Sequence, residues 1–223
     1  MSYSRFAIYY VPPEGDLASF GAAWLGWDVV RGREASQPDL PGLHDITMTP
    51  QKYGFHGTLK PPFRLASGHS VKTLQTAVSE LAVGLAPAVC DGLKLGTFGR
   101  FLALIPDGDL NALHRVAAAC VRVLDGFRAP ASEAELARRR NAGLNAGQER
   151  LLMKWGYPYV MEEFRFHLTL TGRLPIGEIA AWSAVARHHL PSLPCPFVVD
   201  QIALCGERED GRFELIHRYA LTG

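Results

Sequence analysis

The sequence contains no run of about 18 apolar residues, so no stretch of it reads as a membrane span. It has almost no net charge: 23 Lys and Arg against 22 Asp and Glu leave +1 at neutral pH. That balance excludes a global electrostatic drive toward nucleic acid or an anionic membrane surface. Cysteine is scarce, with Cys90, Cys120, Cys195 and Cys205 only, and none of them forms a Cys-x-x-Cys pair. A chain of 223 residues needs no disulfide scaffold, so these thiols are expected reduced, in a cytoplasmic protein. The N-terminal residues lack a cationic start followed by a long apolar core, which argues against a signal peptide. His44, His69, His114, His188, His189 and His217 show no metal-ligand spacing. Neither a metal nor a cofactor is expected.

What the sequence does have is ordinary globular composition, 48% apolar and 20% charged, and an internal echo. Residues 6–11 read as a strand stopped by Pro12-Pro13, and Asp16 reads as the N-cap of a helix over 17–25. Residues 101–105 read as a strand ending at Pro106, followed by a helix over 110–124. The junctions match: Pro13-Glu-Gly-Asp-Leu17 against Pro106-Asp-Gly-Asp-Leu110. Helical patterns over 71–85 and 176–189 each follow a His-x-Thr segment. Gly99-Arg-Phe101 lies 43 residues after His56, and Gly211-Arg-Phe213 lies 44 after His167. Three anchors at like spacing imply a duplication with halves near 1–100 and 101–223, elements being free to exchange between lobes. The segments 31–50, read as a polar loop, and 127–159 precede the motifs unequally and are candidates for a lid.

The chemistry is concentrated on two short stretches. Read with period two, residues 52–60 place Lys52, Gly54, His56, Thr58 and Lys60 on one face. Residues 163–171 likewise align Glu163, Arg165, His167, Thr169 and Thr171. A lone His-x-Thr is weak; two, each preceded by a phenylalanine (Phe55 and Phe166), form a set. Hydrolysis of a phosphodiester needs a base for water and an acid for the leaving oxygen, and imidazole serves either role near neutrality. Thr58 and Thr169 would donate to the non-bridging oxygens, with Lys60 and Arg165 supplying positive charge. His167 is expected as the base and His56 as the acid. Tyr53 and Tyr157 are expected at the cleft wall, to pack on the substrate. The run Arg138-Arg-Arg140 reads either as a solvated helical face or as a phosphate clamp; in the second reading Arg139 is expected at the substrate, where it could neutralise a second phosphate.

Phe55-His-Gly-Thr-Leu59 and Phe166-His-Leu-Thr-Leu170 resemble the paired motifs of the two-histidine (2H) phosphoesterase superfamily, which includes RNA 2′,3′-cyclic phosphodiesterases and ligase-like enzymes. The strings Tyr53-Gly-Phe-His-Gly-Thr-Leu-Lys-Pro-Pro-Phe63 and Trp155-Gly-Tyr-Pro-Tyr159 are similar to a branch encoded with phosphonate (carbon–phosphorus lyase) genes. Gly57 stands where the superfamily often has alanine. The resemblance implies an α+β fold: a bilobal internal duplication with pseudo-twofold symmetry, two antiparallel sheets facing a central cleft and helices outside. It implies a single domain and metal-independent hydrolysis of a cyclic phosphodiester to a phosphomonoester. The implied partner is a small sugar or nucleotide cyclic phosphate, and the expected state is a monomer. An RNA 2′,3′-cyclic end is the alternative substrate, less favoured because the chain is not basic. A non-catalytic member that only binds a phosphorylated ligand or RNA is a further alternative.

Overall fold

Residues 3–223 are described by a computed structural model. The apolar run after Arg5 forms β1 (Phe6–Tyr10), every side chain of which is buried, as a strand covered on both faces requires. Next comes α1 (Asp16–Leu25). Its N-cap is Gly15 without a side-chain bond, so Asp16 does not cap; it stands in the first turn, where its charge suits the helix dipole. A ribbon of β2 (Trp27–Asp28) and β3 (Arg33–Glu34) precedes α2 (Leu43–Gln51). The segment 31–50 is therefore not a plain loop. Its helix buries only Leu43, Thr47 and Pro50, an apolar stripe too narrow to announce itself by period.

The chain continues through β4 (Gly57–Phe63), α3 (Val71–Val83), β5 (Ala88–Cys90), β6 (Gly92–Phe98), β7 (Phe101–Asp107) and α4 (Asn111–Val123). Pro106, expected to end a strand, lies inside β7; β8 pairs only with Ala103 and Leu104, so Pro106 has a free edge beside it. The segment 127–159 holds α5 (Glu133–Arg140) and α6 (Ala146–Trp155), each opened by a capping box, Ser132 with Glu135 and Asn145 with Gln148. After β8 (Leu168–Thr169) come α7 (Ile179–His189), β9 (Phe197–Val199), β10 (Gln201–Glu207) and β11 (Phe213–Ala220).

The fold is α+β and pseudo-twofold. Its main sheet runs β11-β10-β1-β4-β8-β7-β6, all antiparallel. The two expected sheets are its two halves, β11-β10-β1-β4 and β8-β7-β6, joined edge to edge at the single pair Gly57↔Leu168. In each half the motif strand lies beside the strand that opens a repeat, β4 beside β1 and β8 beside β7. The closing strands are exchanged: β6 pairs with β7, and β10 with β1. Helices α3, α4 and α7 pack on one face over one large apolar core, while Tyr9, Trp27 and Phe213 form a smaller cluster of their own.

The strands expected over 52–60 and 163–171 are shorter than their alternation suggested. Pairing begins only at Gly57 and at Leu168, so each histidine stands one residue ahead of its strand. Turns consume the approach: Gly54 sits at φ 70, and Met161 at φ 53 opens a 3-10 turn over Met161–Glu163. At the junction Gly57 leaves the space that the Phe166 ring occupies, since a Cβ there would overlap that ring. Gly21 of α1 does the same for Phe55. Trp24 of α1 donates its indole N–H to the Leu170 carbonyl at 2.9 Å, tying the first half to the second motif.

Gly57→Ala, though it restores the residue common in similar motifs, must push Phe166 aside in a packed core. It is expected to lower stability by about 1–3 kcal/mol, read as a fall in the denaturant midpoint at unchanged slope. An unchanged midpoint would show that Phe166 moves freely.

Candidate active site

The register at the junction decides the geometry. With Gly57 opposite Leu168, the next positions along both strands set His56 across from Thr169 and Thr58 across from His167. Residues opposite one another in such a pair have Cβ atoms about 5 Å apart. The two motifs therefore interleave into one crossed tetrad. All four side chains line a cavity of about 530 Å³, together with Tyr53, Arg139, Tyr157 and Arg165. That volume suits a small-molecule ligand, for which pockets run from roughly 300 to 1,000 Å³.

Each imidazole is held in the same way. His56 Nδ1 donates to the Gly54 carbonyl at 2.9 Å, and His167 Nδ1 donates to the Arg165 carbonyl at 2.8 Å. A carbonyl only accepts, so Nδ1 carries the proton in both rings and the Nε2 lone pairs are left to act. His56 Nε2 is 3.1 Å from the Thr58 hydroxyl, which donates to it until a substrate intervenes. Tyr9, paired with Thr58 across the sheet, lies against His56 with ring centroids 3.8 Å apart. Around His167 the same place is taken by Phe98 and Phe101 of the Gly-Arg-Phe hairpin, at 5.0 and 5.4 Å.

These walls set the protonation states. Burial pushes His56 down to about 4, against a smaller upward pull from the Gly54 carbonyl, and a charge on His167 would lower it further. Burial also holds His167 below its ordinary value, again with the backbone carbonyl opposing. Both rings are therefore neutral at neutral pH in the free protein.

Lys60 is not in the site. The pairing moves from Tyr9↔Thr58 to Ile8↔Lys60, so β4 advances two residues while β1 advances one. This bulge at Leu59 turns Lys60 to the opposite face from Thr58. There the lysine is 2% exposed, donates to the Val121 carbonyl at the end of α4 (3.2 Å), and stands 3.7 Å from Asp125. Of the two lid candidates, 127–159 lines the cavity through Arg139, Tyr157 and Tyr159, whereas 31–50 contributes nothing to it. Thr171 is also outside: its hydroxyl accepts from the Leu102 amide and donates to the Gly172 carbonyl. Several lining residues were not legible as such. Tyr9 is hidden in a uniformly apolar strand, and Arg5 has no motif around it. Phe101 was signalled only by the repeated Gly-Arg-Phe, and Phe98, one residue ahead of it, not at all. Glu163 also lines the cavity, accepting from the Gln148 amide at 3.0 Å. Among the described residues no group of three or more His, Cys, Asp or Glu is placed to hold a metal ion. No helix is long and apolar enough to cross a membrane.

Residues 58–214 match the family described as "Protein of unknown function (DUF1045)". Two curated relatives, from Janthinobacterium sp. (strain Marseille) and Laribacter hongkongensis (strain HLHK9), are both named ribose 1,5-bisphosphate phosphokinase PhnN. Each is 34% identical, over 94% and 93% of this chain respectively. The chain spans about half of their length, 49% in each case. Among solved structures, Escherichia coli LigT complexed with 3′-AMP aligns over 100% of both chains at 14% identity and a TM-score of 0.46.

Two measurements test this electrostatic picture. Burial lowers Lys60 from 10.5 to about 8, so between those values the unfolded chain holds a proton that the folded one has lost. Stability from this group therefore rises with pH across that window, by about 3 kcal/mol in all. Lys60→Met should abolish this rise, so that the difference between wild-type and variant stability grows with pH across that window. A constant difference would place the ammonium in water. By proton NMR, the His56 ring should stay neutral down to about pH 4 in the free protein; titration near 6.5 would refute the burial argument.

Proposed function

The chain belongs to the family described as "Protein of unknown function (DUF1045)", and on that premise we propose that it hydrolyses a small sugar cyclic phosphate to a phosphomonoester. The observation that carries the reading is the crossed tetrad, with each His Nδ1 tied to a backbone carbonyl, each Nε2 on the cleft side, and each Thr hydroxyl opposite the other strand's histidine. A phosphate bridging the two strands would meet both threonine hydroxyls at its non-bridging oxygens, and one imidazole on either side of phosphorus.

The reaction needs one neutral and one protonated imidazole. His56, pushed down to about 4, is the ring that stays neutral. That favours His56 as base and His167 as acid, the reverse of the order expected from the sequence. His56 Nε2 takes a proton from water, and the water oxygen attacks phosphorus opposite the ring ester oxygen. The P–O bond to that oxygen breaks, and His167 Nε2–H delivers its proton to the departing alkoxide. The product is a monoester with one free sugar hydroxyl. Arg165 lines the cavity two residues before His167, its Nη1 donating to the Glu162 and Phe164 carbonyls, and its charge offsets that of the phosphate. No step calls on a metal or a cofactor.

The relatives' name points to a phosphorylated ribose as the substrate class. It also names a kinase, but this chain has no Gly-Lys pair and so no phosphate loop of the G-x-x-x-x-G-K-S/T kind. The half of those relatives that it matches is accordingly read as a separate activity on a related ribose phosphate. The similarity of the motif strings to a phosphonate-associated branch agrees with that substrate class.

His56→Ala and His167→Ala should each lower kcat by about 10²–10⁴-fold on a ribose cyclic phosphate, followed by phosphorus NMR. Near-normal turnover by either variant rejects the assignment. The wild-type kcat/KM should peak on the acid side of neutrality. It falls toward pH 4 as the base His56 takes up a proton, and falls again as the acid His167 loses its proton below the ordinary 6.5. An optimum above pH 7.5, in contrast to that window, would contradict these protonation states.

A further inference from the structure

The cleft holds more positive charge than its reaction consumes. A cyclic phosphodiester is a monoanion, and Arg165 at the His167 end is enough to offset it. Arg139 lines the same cavity from another element, at the last turn of α5. Its guanidinium lies over the Tyr157 ring, 4.5 Å from the centroid. Cation–π attraction of this kind holds the guanidinium against the ring. Among the described residues, Arg139 has no carboxylate within ion-pairing distance, unlike its neighbours. Arg140 pairs with Glu149, Arg64 with Glu135, and Arg128 with Asp125. Arg5, which also lines both the cavity and the shallow pocket that adjoins it at Arg139, is joined by two hydrogen bonds to Glu207. The negative end of α5 does not explain Arg139 either, because Arg138 and Arg140 serve that end from its exposed sides.

We propose that Arg139, backed by Tyr157, forms a second anion subsite that recognises a phosphate other than the one being hydrolysed. The substrate is thus a cyclic phosphodiester bearing a separate phosphomonoester on the same small molecule. This rests on the hydrolytic reading above and narrows its substrate class. A guanidinium suits a phosphate because its fork meets two oxygens at once, and the half-buried position of Arg139 limits competition from water. The subsite sits on the unequal segment 127–159, so it selects the molecule without touching the crossed tetrad. Arg139 is a specificity residue in this scheme and no catalytic residue.

The test compares a ribose cyclic phosphate with the same compound carrying a phosphate on its primary hydroxyl, using wild-type protein, Arg139→Ala and Arg139→Lys. The ratio of kcat/KM between the doubly and singly phosphorylated esters should exceed about 10 in the wild type. It should fall to near one in Arg139→Ala and lie between in Arg139→Lys, where the charge remains and the fork is lost. A wild-type ratio near one overturns the subsite while leaving the hydrolytic reading intact. So does a ratio that Arg139→Ala does not change. Turnover of neither ester would overturn the hydrolytic reading instead. Calorimetry of both esters in the His56→Ala background then decides the subsite alone: equal affinities reject it, and a preference that Arg139→Ala abolishes upholds it.

Discussion

One antiparallel residue pair, Gly57 against Leu168, holds the two halves of the main sheet together. Everything chemical in the cleft follows from its register. A slip of one residue would turn one strand over against the other, sending its histidine to the core face and its preceding phenylalanine out, because side chains alternate with period two. So short a pairing could not fix the register by backbone hydrogen bonds alone. It is fixed by shape: Phe166 lies where a side chain at 57 would be, Phe55 lies where one at 21 would be, and Trp24 donates to Leu170. The aromatic residues that precede each histidine are thus structural partners of the motif. They lock its alternation in place.

The same packing determines the charge state of the site. Bringing two imidazoles into one walled cavity removes water from both, so each is discouraged from carrying a proton, and a charge on His167 would discourage His56 further. With both rings neutral, the positive charge of the free protein's cleft lies on the arginines that line it. A bound phosphate supplies the negative charge that makes protonating one ring favourable, and the reactive state is assembled only with substrate present. Carbonyl oxygens fix Nδ1 in both rings, so only the Nε2 atoms exchange protons with whatever occupies the cleft.

How far the sequence foretold this depends on which interactions decide each feature. The motifs, the helices after them and the Gly-Arg-Phe turns were readable because local period and turn chemistry set them. Gly99 and Gly211 both adopt positive φ, and Phe101 and Phe213 both reach rings beside a motif. Lys60 could not be placed by alternation, because the bulge at Leu59 depends on how β4 meets β1. The helix within 31–50 escaped notice because it leans on α1 with only three buried residues. Tyr9 was invisible for the opposite reason: β1 is buried on both faces, so nothing in its sequence distinguishes the face that meets His56.

The pseudo-symmetry also shows where the halves had to differ. Across the sheet, Tyr9 stands opposite Thr58, and the matching position opposite Thr169 is Ala103. A large ring pressed on His56 at 3.8 Å excludes water there, while His167 is met by Phe98 and Phe101 at 5.0 Å or more. Two identical motifs in identical surroundings would have matching proton affinities, and neither would be preferred as acid or base. Unequal packing behind them separates the two roles without altering a motif residue. The insertion over 127–159 breaks the symmetry a second time, by setting Arg139 and Tyr157 along one rim of the cleft. Duplication accounts for the shared chemistry of the two strands; the departures from it give that chemistry a direction and a substrate.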